Sequence, residues 1–237
     1  MTRFDMSEYQ SRESFIRFIG SPDGNVRGGL TDAVLEKPYS LVLLDEFEKA
    51  HPDILNLFLQ VMDDGRLTDG LGRTVDFSNT IIIATSNAHS EFVKTEIEAG
   101  ALASDIADRL KRKLQDFFHP ELLNRFSAII VFKGLGPEDI VVIARMQLEE
   151  LSRLLTESHG IKLSWDDDVL RKVAAWGYDP VFGARPLRKV ISDRIKAVIA
   201  EKILEGKAVR GSALRLALFG DAISLSEGES DHVSTHQ

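Results

Sequence analysis

The sequence predicts an α/β domain in which helices cover a parallel sheet, followed by a smaller, mostly helical domain with a short sheet. Three apolar runs lie in the first part of the chain, at Leu41–Leu44, Asn79–Thr85 and Ala128–Phe132. Runs without polar alternation are typical of strands buried on both faces, as in a parallel sheet under helices. Helical periodicity lies between the runs, and this alternation indicates a layered α/β domain.

Short elements and a glycine-rich loop come first along the chain. Thr2–Tyr9 is predicted to form a short strand that runs into a loop, and Ser11–Ile19 a helix. Residues 20–29 contain four glycines, too many for the interior of an element, so this segment is predicted to be a loop. Leu30–Glu36 is predicted to be a helix that Pro38 stops.

The centre of the first domain alternates buried strands with helices. The apolar run Tyr39–Leu44 is the first buried strand, and Asp45-Glu46 follows it. A helix opens at His51-Pro52-Asp53, where the missing proline N–H breaks no hydrogen bond. The glycines of Gly65–Val75 indicate a hairpin. The remaining predicted elements are the strands Asn79–Thr85 and Ala128–Phe132 and the helices Ser90–Ala99 and Leu102–Phe118.

Helical patterns dominate after Gly134-Leu135-Gly136-Pro137, so we divide the chain into a large domain of residues 1–136 and a small domain of residues 137–220. The predicted elements of the small domain are the helices Glu138–Glu157, Asp167–Trp176 and Ala184–Glu205 and the strands Ile161–Trp165 and Ser212–Phe219. Residues 221–237, polar from Ser226 onward, are predicted to be a disordered tail.

Composition and charge exclude several classes of function. The 237 residues carry a formal net charge of -8, whereas a sequence-independent nucleic-acid binder requires a basic face. The absence of cysteine excludes disulfides and thiolate metal sites. No apolar run approaches the about 20 residues of a membrane span, and the first residues lack the layout of a signal peptide. We therefore expect a cytoplasmic protein that binds neither nucleic acid nor membrane.

The pair Asp45-Glu46 is the most informative chemical feature. Both carboxylates follow a buried strand, and open α/β sheets bind ligands at the carboxyl ends of their strands. In nucleotide hydrolysis the first carboxylate would orient the shell of a magnesium ion that bridges the phosphates, and the second would polarise the attacking water. The alternative is an ordinary strand that ends in solvated acids, and the pair alone leaves both open.

A series of further motifs accompanies this pair in a fixed order. They are Asp45–Pro52, Leu59–Asp69, Gly72–Phe77, Ser78–Thr80, Thr85–Asn87, Pro120–Arg125, Gly177–Pro180 and Gly183–Leu187. In identity, order and spacing they resemble the second ATPase module of ClpA, ClpB and ClpC, which are AAA+ ATPases of the Clp family. The resemblance covers roughly Thr2 to Leu218. It implies an AAA+ P-loop-type three-layer parallel-sheet domain, here incomplete, followed by the small C-terminal domain of that family.

The resemblance implies roles for three residues at the ends of the buried strands. Asp45 and Glu46 match the Walker B pair, with Asp45 on Mg2+ through water and Glu46 on the attacking water. Asn87 matches the sensor-one residue, which holds the lytic water or the γ-phosphate of ATP. The alternative for Asn87 is a cap for the helix predicted to begin near Ser90.

Two arginines also match functional positions of the family. Arg125 matches the arginine finger, which stabilises charge in the neighbouring subunit's site, and its alternative is a surface salt bridge. Arg185 matches sensor two, which reports the nucleotide state to the small domain. Arg185 is predicted to open a helix, where a positive charge opposes the macrodipole, and a nucleotide phosphate would compensate it. Arg66 and Arg73 are predicted to make structural or intersubunit contacts.

Two departures from the family pattern concern loops. No segment has the form Gly-x-x-x-x-Gly-Lys-Ser/Thr of the phosphate-binding Walker A loop, whose place in the family is before the strand at Arg3–Met6. We therefore expect the chain to begin after that loop and to show no measurable ATPase activity alone. The loop Gly24–Gly29 is shorter than the family's pore loop and has Asn25 where the family has a substrate-gripping tyrosine.

The function implied by the resemblance is that of an ATP- and Mg2+-dependent subunit of a protein unfoldase or disaggregase. Its implied partners are copies of itself or full-length Clp subunits in a hexameric ring, unfolded or aggregated polypeptides, and a protease ring or a co-chaperone. The alternative is a non-catalytic adaptor or pseudo-subunit that docks into a ring of complete Clp ATPases and offers Arg125 in trans.

Overall fold

The computed structural model describes residues 1–179 and 182–227, which form two compact units that divide between Lys133 and Gly134. Each unit has its own hydrophobic core. Among the described residues, no helix combines the length and the apolar character needed to cross a bilayer.

The first unit is built on a parallel sheet of three strands. They are β1 (Thr2–Asp5), β2 (Ser40–Asp45) and β5 (Thr80–Ala84), in the order β1-β2-β5. Asp5 lies opposite Asp45, and Leu44 lies opposite Ala84, so the carboxyl ends of all three strands meet at one edge. The predicted α/β fold with a parallel sheet is confirmed.

Six helices and a hairpin complete the first unit. The helices are α1 (Arg12–Ile19), α2 (Gly29–Glu36), α3 (Pro52–Asp64), α4 (Ser90–Glu98), α5 (Ala103–Lys113) and α6 (Pro120–Arg125), and the hairpin strands are β3 (Arg66–Thr68) and β4 (Thr74–Asp76). Phe18, Phe47 and Phe58 are fully buried at the centre of the core. The predicted start of α3 is confirmed, because the His51 side chain accepts a hydrogen bond from the Asp53 N–H and Pro52 occupies the first turn.

The predicted third strand, Ala128–Phe132, is wrong, because the structure has no strand over this segment. Ile129 and Val131 pack against the core, whereas the side chains of Ile130 and Phe132 are 74% and 84% exposed. A strand requires a neighbour that accepts its backbone hydrogen bonds, and within the described residues this segment has none. The apolar residues of Ala128–Phe132 are therefore only partly buried, and the segment does not pair as a strand.

The second unit combines helices with a sheet of three strands. Its elements are α7 (Pro137–His159), β6 (Lys162–Ser164), α8 (Asp167–Gly177), α9 (Leu187–Ile191), α10 (Ala197–Leu204), β7 (Ala213–Phe219) and β8 (Ala222–Glu227). Strand β6 pairs parallel with β7, and β7 pairs antiparallel with β8. The predicted helix Ala184–Glu205 is not continuous, because one π-helical turn over Ser192–Lys196 joins α9 to α10. This turn accompanies the stacking of Arg194 over the Trp176 ring, 4.2 Å from the ring centroid.

Strand β8 corrects the start of the predicted tail at residue 221. Gly220 has a positive φ of 59° and forms a tight turn with Asp221, so that Phe219 pairs with Ala222. Ile223 and Leu225 then pack against the core. A Gly-Asp pair between two runs of alternating apolar residues is a hairpin signal. The second run was not recognised as a strand because Ser224 and Ser226 alternate with its apolar residues. The rest of the predicted tail, 228–237, lies outside the described residues.

Candidate functional site

The carboxylate of Asp45 is fixed at the carboxyl edge of the first unit's sheet. The Thr85 hydroxyl donates a hydrogen bond to Asp45 Oδ1, and the Arg3 guanidinium donates one to Asp45 Oδ2. The hydrogen bond from Thr85 lowers the pKa of Asp45, and the charge and hydrogen bond of Arg3 lower it further against the opposing effect of burial. Asp45 is therefore an ionised and oriented carboxylate.

Glu46 follows in a backbone conformation that is uncommon for a residue other than glycine. Its φ and ψ are 54° and 50°, in the left-handed region. Non-glycine residues in this region store strain and cluster at functional sites. The Glu46 N–H lies 3.2 Å from Thr85 Oγ1, so the hydroxyl that orients Asp45 also holds the Glu46 backbone. Among the described residues, no side chain or backbone group pairs with the Glu46 carboxylate.

Asn87 lies just beyond the end of the neighbouring strand β5. Its backbone N–H donates to Glu48 Oε1 at 3.2 Å, which ties it to the turn that follows Glu46. Its side chain does not cap α4, because the N-cap residue of that helix is His89 and no side chain caps it. The side-chain capping alternative is therefore wrong, and the side-chain amide of Asn87 makes no hydrogen bond within the described residues.

The structure thus brings Asp45, Glu46 and Asn87 to one edge of one sheet. The sequence reasoning missed the side chains that hold this group, namely Arg3, Thr85 and Glu48. Thr85 belongs to the motif Thr85-Ser86-Asn87, and a hydroxyl directly after a buried strand is a signal that could have found it. Glu48 Oε2 is buried and has no hydrogen-bond partner among the described residues.

Arg125 is the last residue of α6 in the same unit. Its Nε lies 2.5 Å from Asp63 Oδ1 at the end of α3, and both side chains remain partly exposed. The salt bridge that the sequence posed as an alternative is therefore present. Within the described residues no bond joins Arg125 to Asp45, Glu46 or Asn87.

Arg185 lies in the second unit, two residues before α9 begins at Leu187. The prediction that it opens a helix is wrong, since Pro186 is the N-cap residue and the Arg185 N–H donates to the Phe182 carbonyl at 3.2 Å. The side chain is exposed and has no ion-pair partner in the part of the chain that the structure describes.

The glycine-rich loop folds into a compact polar turn. Asp23 accepts hydrogen bonds from the Ser21 hydroxyl at 2.5 Å, from the Asn25 N–H at 3.1 Å and from Asn25 Nδ2 at 2.5 Å. The Ser21 hydroxyl in turn accepts from the Val26 N–H at 2.9 Å. Asn25 therefore stabilises its own loop.

The hairpin β3–β4 locks this loop in place. The Gly70 N–H donates to the Ile19 carbonyl at 3.1 Å, and a Cβ on Gly70 would overlap the carbonyl oxygen of Gly20. Arg73 bridges Asp69, at 2.6 Å from Nε, and Asp32, at 2.8 Å from Nη2. Arg73 thus makes structural contacts, in agreement with its predicted role.

The site suits a magnesium ion that keeps most of its water. Among the described residues, no group of three or more His, Asp or Glu side chains could hold a metal alone. Mg2+ is usually bound by one or two carboxylates together with substrate phosphates. One ionised, oriented carboxylate at Asp45 fits that mode.

Comparison with known proteins identifies both units. Residues 1–129 match the family described as AAA domain (Cdc48 subfamily), and residues 135–216 match the C-terminal, D2-small domain of ClpB protein. The chaperone protein ClpB of Meiothermus ruber is 48% identical over 218 residues, which cover 90% of this chain and 25% of that protein.

Two further relatives show the same pattern. ClpB of Rhizobium meliloti is 42% identical over 96% of this chain and 26% of its own length. The ATP-dependent Clp protease ATP-binding subunit ClpE of Streptococcus pneumoniae is 46% identical over 86% of this chain and 28% of its own length. The chain therefore spans about a quarter of the length of the curated relatives it matches.

Proposed function

This chain belongs to the Clp family of AAA+ proteins, and from that premise we propose that it is part of an ATP-binding and ATP-hydrolysing subunit of a Clp-type chaperone. The observation that carries the proposal is the meeting of Asp45, Glu46 and Asn87 at the carboxyl edge of the sheet, with Thr85 bonded to both members of the acidic pair. Ligands of open α/β sheets bind at this edge. Hydrolysis would drive the remodelling of a bound polypeptide.

The two carboxylates have separate roles in this proposal. Asp45, which accepts hydrogen bonds from Arg3 and Thr85, would hold Mg2+ through water. The ion would neutralise charge on the phosphates when bound. Glu46 carries an unpaired carboxylate, and its constrained backbone leaves that carboxylate available to accept a hydrogen bond from the attacking water.

Asn87 and the two arginines complete the proposed machinery. The side-chain amide of Asn87, which makes no hydrogen bond within the described residues, would hold the attacking water or the γ-phosphate. Arg125 would stabilise charge on the phosphoryl group bound by the neighbouring subunit. Arg185, exposed in the second unit, would contact the nucleotide and pass its state to that unit.

The relatives' names supply the proposed partners. The relatives are named as chaperones and as the ATP-binding subunit of a protease. We propose that this chain acts in the cytoplasm within a hexameric ring of Clp subunits, on unfolded or aggregated polypeptides, together with a protease ring or a co-chaperone. The compact loop around Asn25 favours polar contacts with such a polypeptide over aromatic ones.

A titration of the 237-residue chain with Mg·ATP, followed by amide NMR, tests the nucleotide site. We expect shifts concentrated at residues 45–48 and 85–87, because these amides border the proposed site. Asp45→Asn should remove the Mg2+-dependent part of the shifts and leave the fold unchanged. Asp53→Asn, on the exposed first turn of α3, is the matched control. Shifts confined to other surfaces at millimolar nucleotide would contradict the proposed site.

A second candidate function is the adaptor that docks into a ring of complete Clp ATPases. Arg125 supports it as well as the first function, because its side chain is 50% exposed and would be available in trans. Native mass spectrometry of the chain mixed with Meiothermus ruber ClpB distinguishes the two functions. The adaptor predicts mixed rings that bind no more nucleotide than their ClpB subunits bind without the chain, whereas an ATP-binding chain adds nucleotide of its own.

A further inference from the structure

We propose that Glu48 is a positioning residue whose carboxylate holds Asn87 beside the acidic pair, at a cost in stability, so that the Asn87 side chain meets the nucleotide. The proposal rests on the proposed function of Asn87 as the group that contacts the attacking water or the γ-phosphate. It goes beyond that function by naming the residue that sets the place of this group. It also explains why the chain keeps a carboxylate with a buried oxygen that lacks a hydrogen-bond partner among the described residues.

The backbone around Glu48 is fixed by the core and by the neighbouring strand. Glu48 belongs to the 3-10 turn Phe47–Lys49, which follows Glu46 directly. Phe47 is fully buried, and its N–H donates to the Thr85 carbonyl at 2.9 Å. The Glu48 side chain therefore extends from an anchored turn toward the residues that follow β5.

Asn87 is held through both of its backbone groups. Its N–H donates to Glu48 Oε1 at 3.2 Å, and its carbonyl accepts from the Ser90 N–H at 3.2 Å. The contact with Ser90 is local, whereas the contact with Glu48 joins residues 39 apart in the sequence. Within the described residues, Glu48 is the one side chain bonded to Asn87. Because both backbone groups are held, the direction in which the Asn87 side chain leaves the backbone is set.

The second carboxylate oxygen of Glu48 indicates that this contact reduces stability. Glu48 Oε2 is buried and lacks a hydrogen-bond partner among the described residues. Burying a polar group without a partner costs free energy, and the cost is larger for a charged group than for a neutral one. A glutamine at position 48 would offer the same kind of acceptor oxygen without a buried charge. Stability alone would therefore favour glutamine over the glutamate that is present.

The carboxylate gives a stronger hydrogen bond in return. Hydrogen bonds to an ionised acceptor are roughly twice as strong as those between neutral groups. Asn87 is exposed, so the core does not hold it in place. A misplacement of about 1 Å in a group that acts on the reacting atoms can lower a rate about 100-fold. The strong bond from Glu48 to the Asn87 backbone therefore serves the placement of the Asn87 side chain.

The other two members of the site have separate supports. Arg3 and Thr85 donate to the Asp45 carboxylate. Thr85 Oγ1 also accepts from the Glu46 N–H. None of these bonds involves Glu48. A substitution at position 48 should therefore release the third member of the site and leave the acidic pair in place.

The hydrogen bond is tested by NMR on the nucleotide-free 237-residue chain. Glu48→Ala should raise the rate at which the Asn87 N–H exchanges with water about tenfold, because loss of one hydrogen bond shifts an opening equilibrium by about that factor. Glu48→Gln keeps a neutral acceptor and should raise the rate less. Glu91→Ala removes an exposed carboxylate from the first turn of α4 and is the matched control. Equal exchange rates in Glu48→Ala and the wild type would overturn the proposal.

Melting curves test the cost in stability. The Tm of the first unit, followed by circular dichroism, should be no lower in Glu48→Gln than in the wild type, because the variant buries no unpaired charge. A Tm clearly below that of the wild type would show that the carboxylate stabilises the fold. That result would also overturn the proposal.

Nucleotide supplies the measurement that a purely structural residue would not change. The side-chain NH2 signals of Asn87 should shift more with Mg·ATP than with Mg·ADP, because only ATP presents a γ-phosphate. In Glu48→Ala this difference between ATP and ADP should be lost, whereas the Mg2+-dependent shifts at residues 45–46 should persist. Glu48→Gln should restore most of the difference, and Glu91→Ala should retain all of it.

The outcomes separate the failure of this inference from the failure of the proposed function. If the wild-type chain shows no shifts at residues 45–48 and 85–87, the proposed nucleotide site fails and the inference fails with it. If those shifts occur and the Asn87 side chain does not distinguish ATP from ADP, the proposed role of Asn87 and the inference fail. If Asn87 distinguishes them equally well in Glu48→Ala and in the wild type, only the inference fails.

Discussion

Replacing Asp69 by alanine should unfold the first unit at a markedly lower temperature. The Asp69 side chain is 1% exposed, and its carboxylate accepts from the Leu71 N–H at 3.0 Å, the Arg73 N–H at 2.8 Å and Arg73 Nε at 2.6 Å. Each such bond contributes about 1 kcal/mol net. Since Arg73 is half exposed, we count its ion pair at the low end, and the loss is about 2 kcal/mol. For a unit of this size that corresponds to a fall in Tm of roughly 5–10 °C.

The same substitution should remove part of the pH dependence of stability. Burial raises the pKa of Asp69, but the hydrogen bonds and charge of Arg73 outweigh it and hold the pKa below its usual value. A depressed pKa stabilises the folded chain above the unfolded-state pKa of about 3.9, and that contribution is lost as the pH falls through the folded pKa. The wild type should therefore lose more stability than Asp69→Ala between pH 5 and the acid limit.

Far-UV circular dichroism follows the unfolding of the whole chain, and tryptophan fluorescence reports the second unit alone, because Trp165 and Trp176 both lie there. In Asp69→Ala, only the unfolding transition of the first unit, which changes the circular dichroism but not the fluorescence, should move to a lower temperature. Asp76→Ala is the control on the same hairpin, since Asp76 is an exposed acceptor for Ser78. Equal melting curves for the Asp69 and Asp76 variants would refute the reasoning.

Three further predictions concern other parts of the chain. Gly70→Ala should destabilise the first unit in chemical denaturation because its Cβ would overlap the Gly20 carbonyl, whereas Gly134→Ala, which meets open space at the first residue of the second unit, should leave the denaturation of both units unchanged. Ile81→Lys should reduce light scattering at high concentration, because Ile81 is 64% exposed on the edge strand β5 and a charged edge opposes strand pairing; unchanged scattering would contradict this. Arg194→Met should shift the Trp176 emission by removing the stacked cation, and an unaltered spectrum would exclude that contact in solution.

Local patterns were sufficient to predict most of the first unit. The apolar run before Asp45 and the proline after His51 each describe a structure that depends on neighbours in the sequence. The meeting of Asp45, Glu46 and Asn87 could also be predicted, because residues that follow buried parallel strands lie at the same edge of the sheet. The prediction failed where the outcome depended on a partner: Ala128–Phe132 has the composition of a strand, but no strand of the described chain pairs with it.

The supports of the site could not be predicted from local sequence for a related reason. Arg3 reaches Asp45 because β1 pairs with β2 in a register that sets Arg3 opposite Leu43, two residues before Asp45 at the end of β2. Thr85 reaches both Asp45 and the Glu46 backbone because β5 pairs on the other side of β2. The register between two strands about 40 residues apart depends on how the whole domain folds. The residue pattern within either strand therefore does not predict which residues will lie opposite each other.

Arg125 shows why a residue's alternatives need not exclude one another. The sequence analysis treated Arg125 as either an arginine finger for a neighbouring subunit or a member of a surface salt bridge. That choice assumes that the side chain can bind only one partner. The structure has the salt bridge at Nε, and the Nη groups have no partner in the described residues. A guanidinium with five donors in a fixed plane can be held by one carboxylate and still present a fork to a second anion. The ion pair with Asp63 and the proposed contact in trans are therefore compatible, because the ion pair leaves the Nη donors available to a second anion.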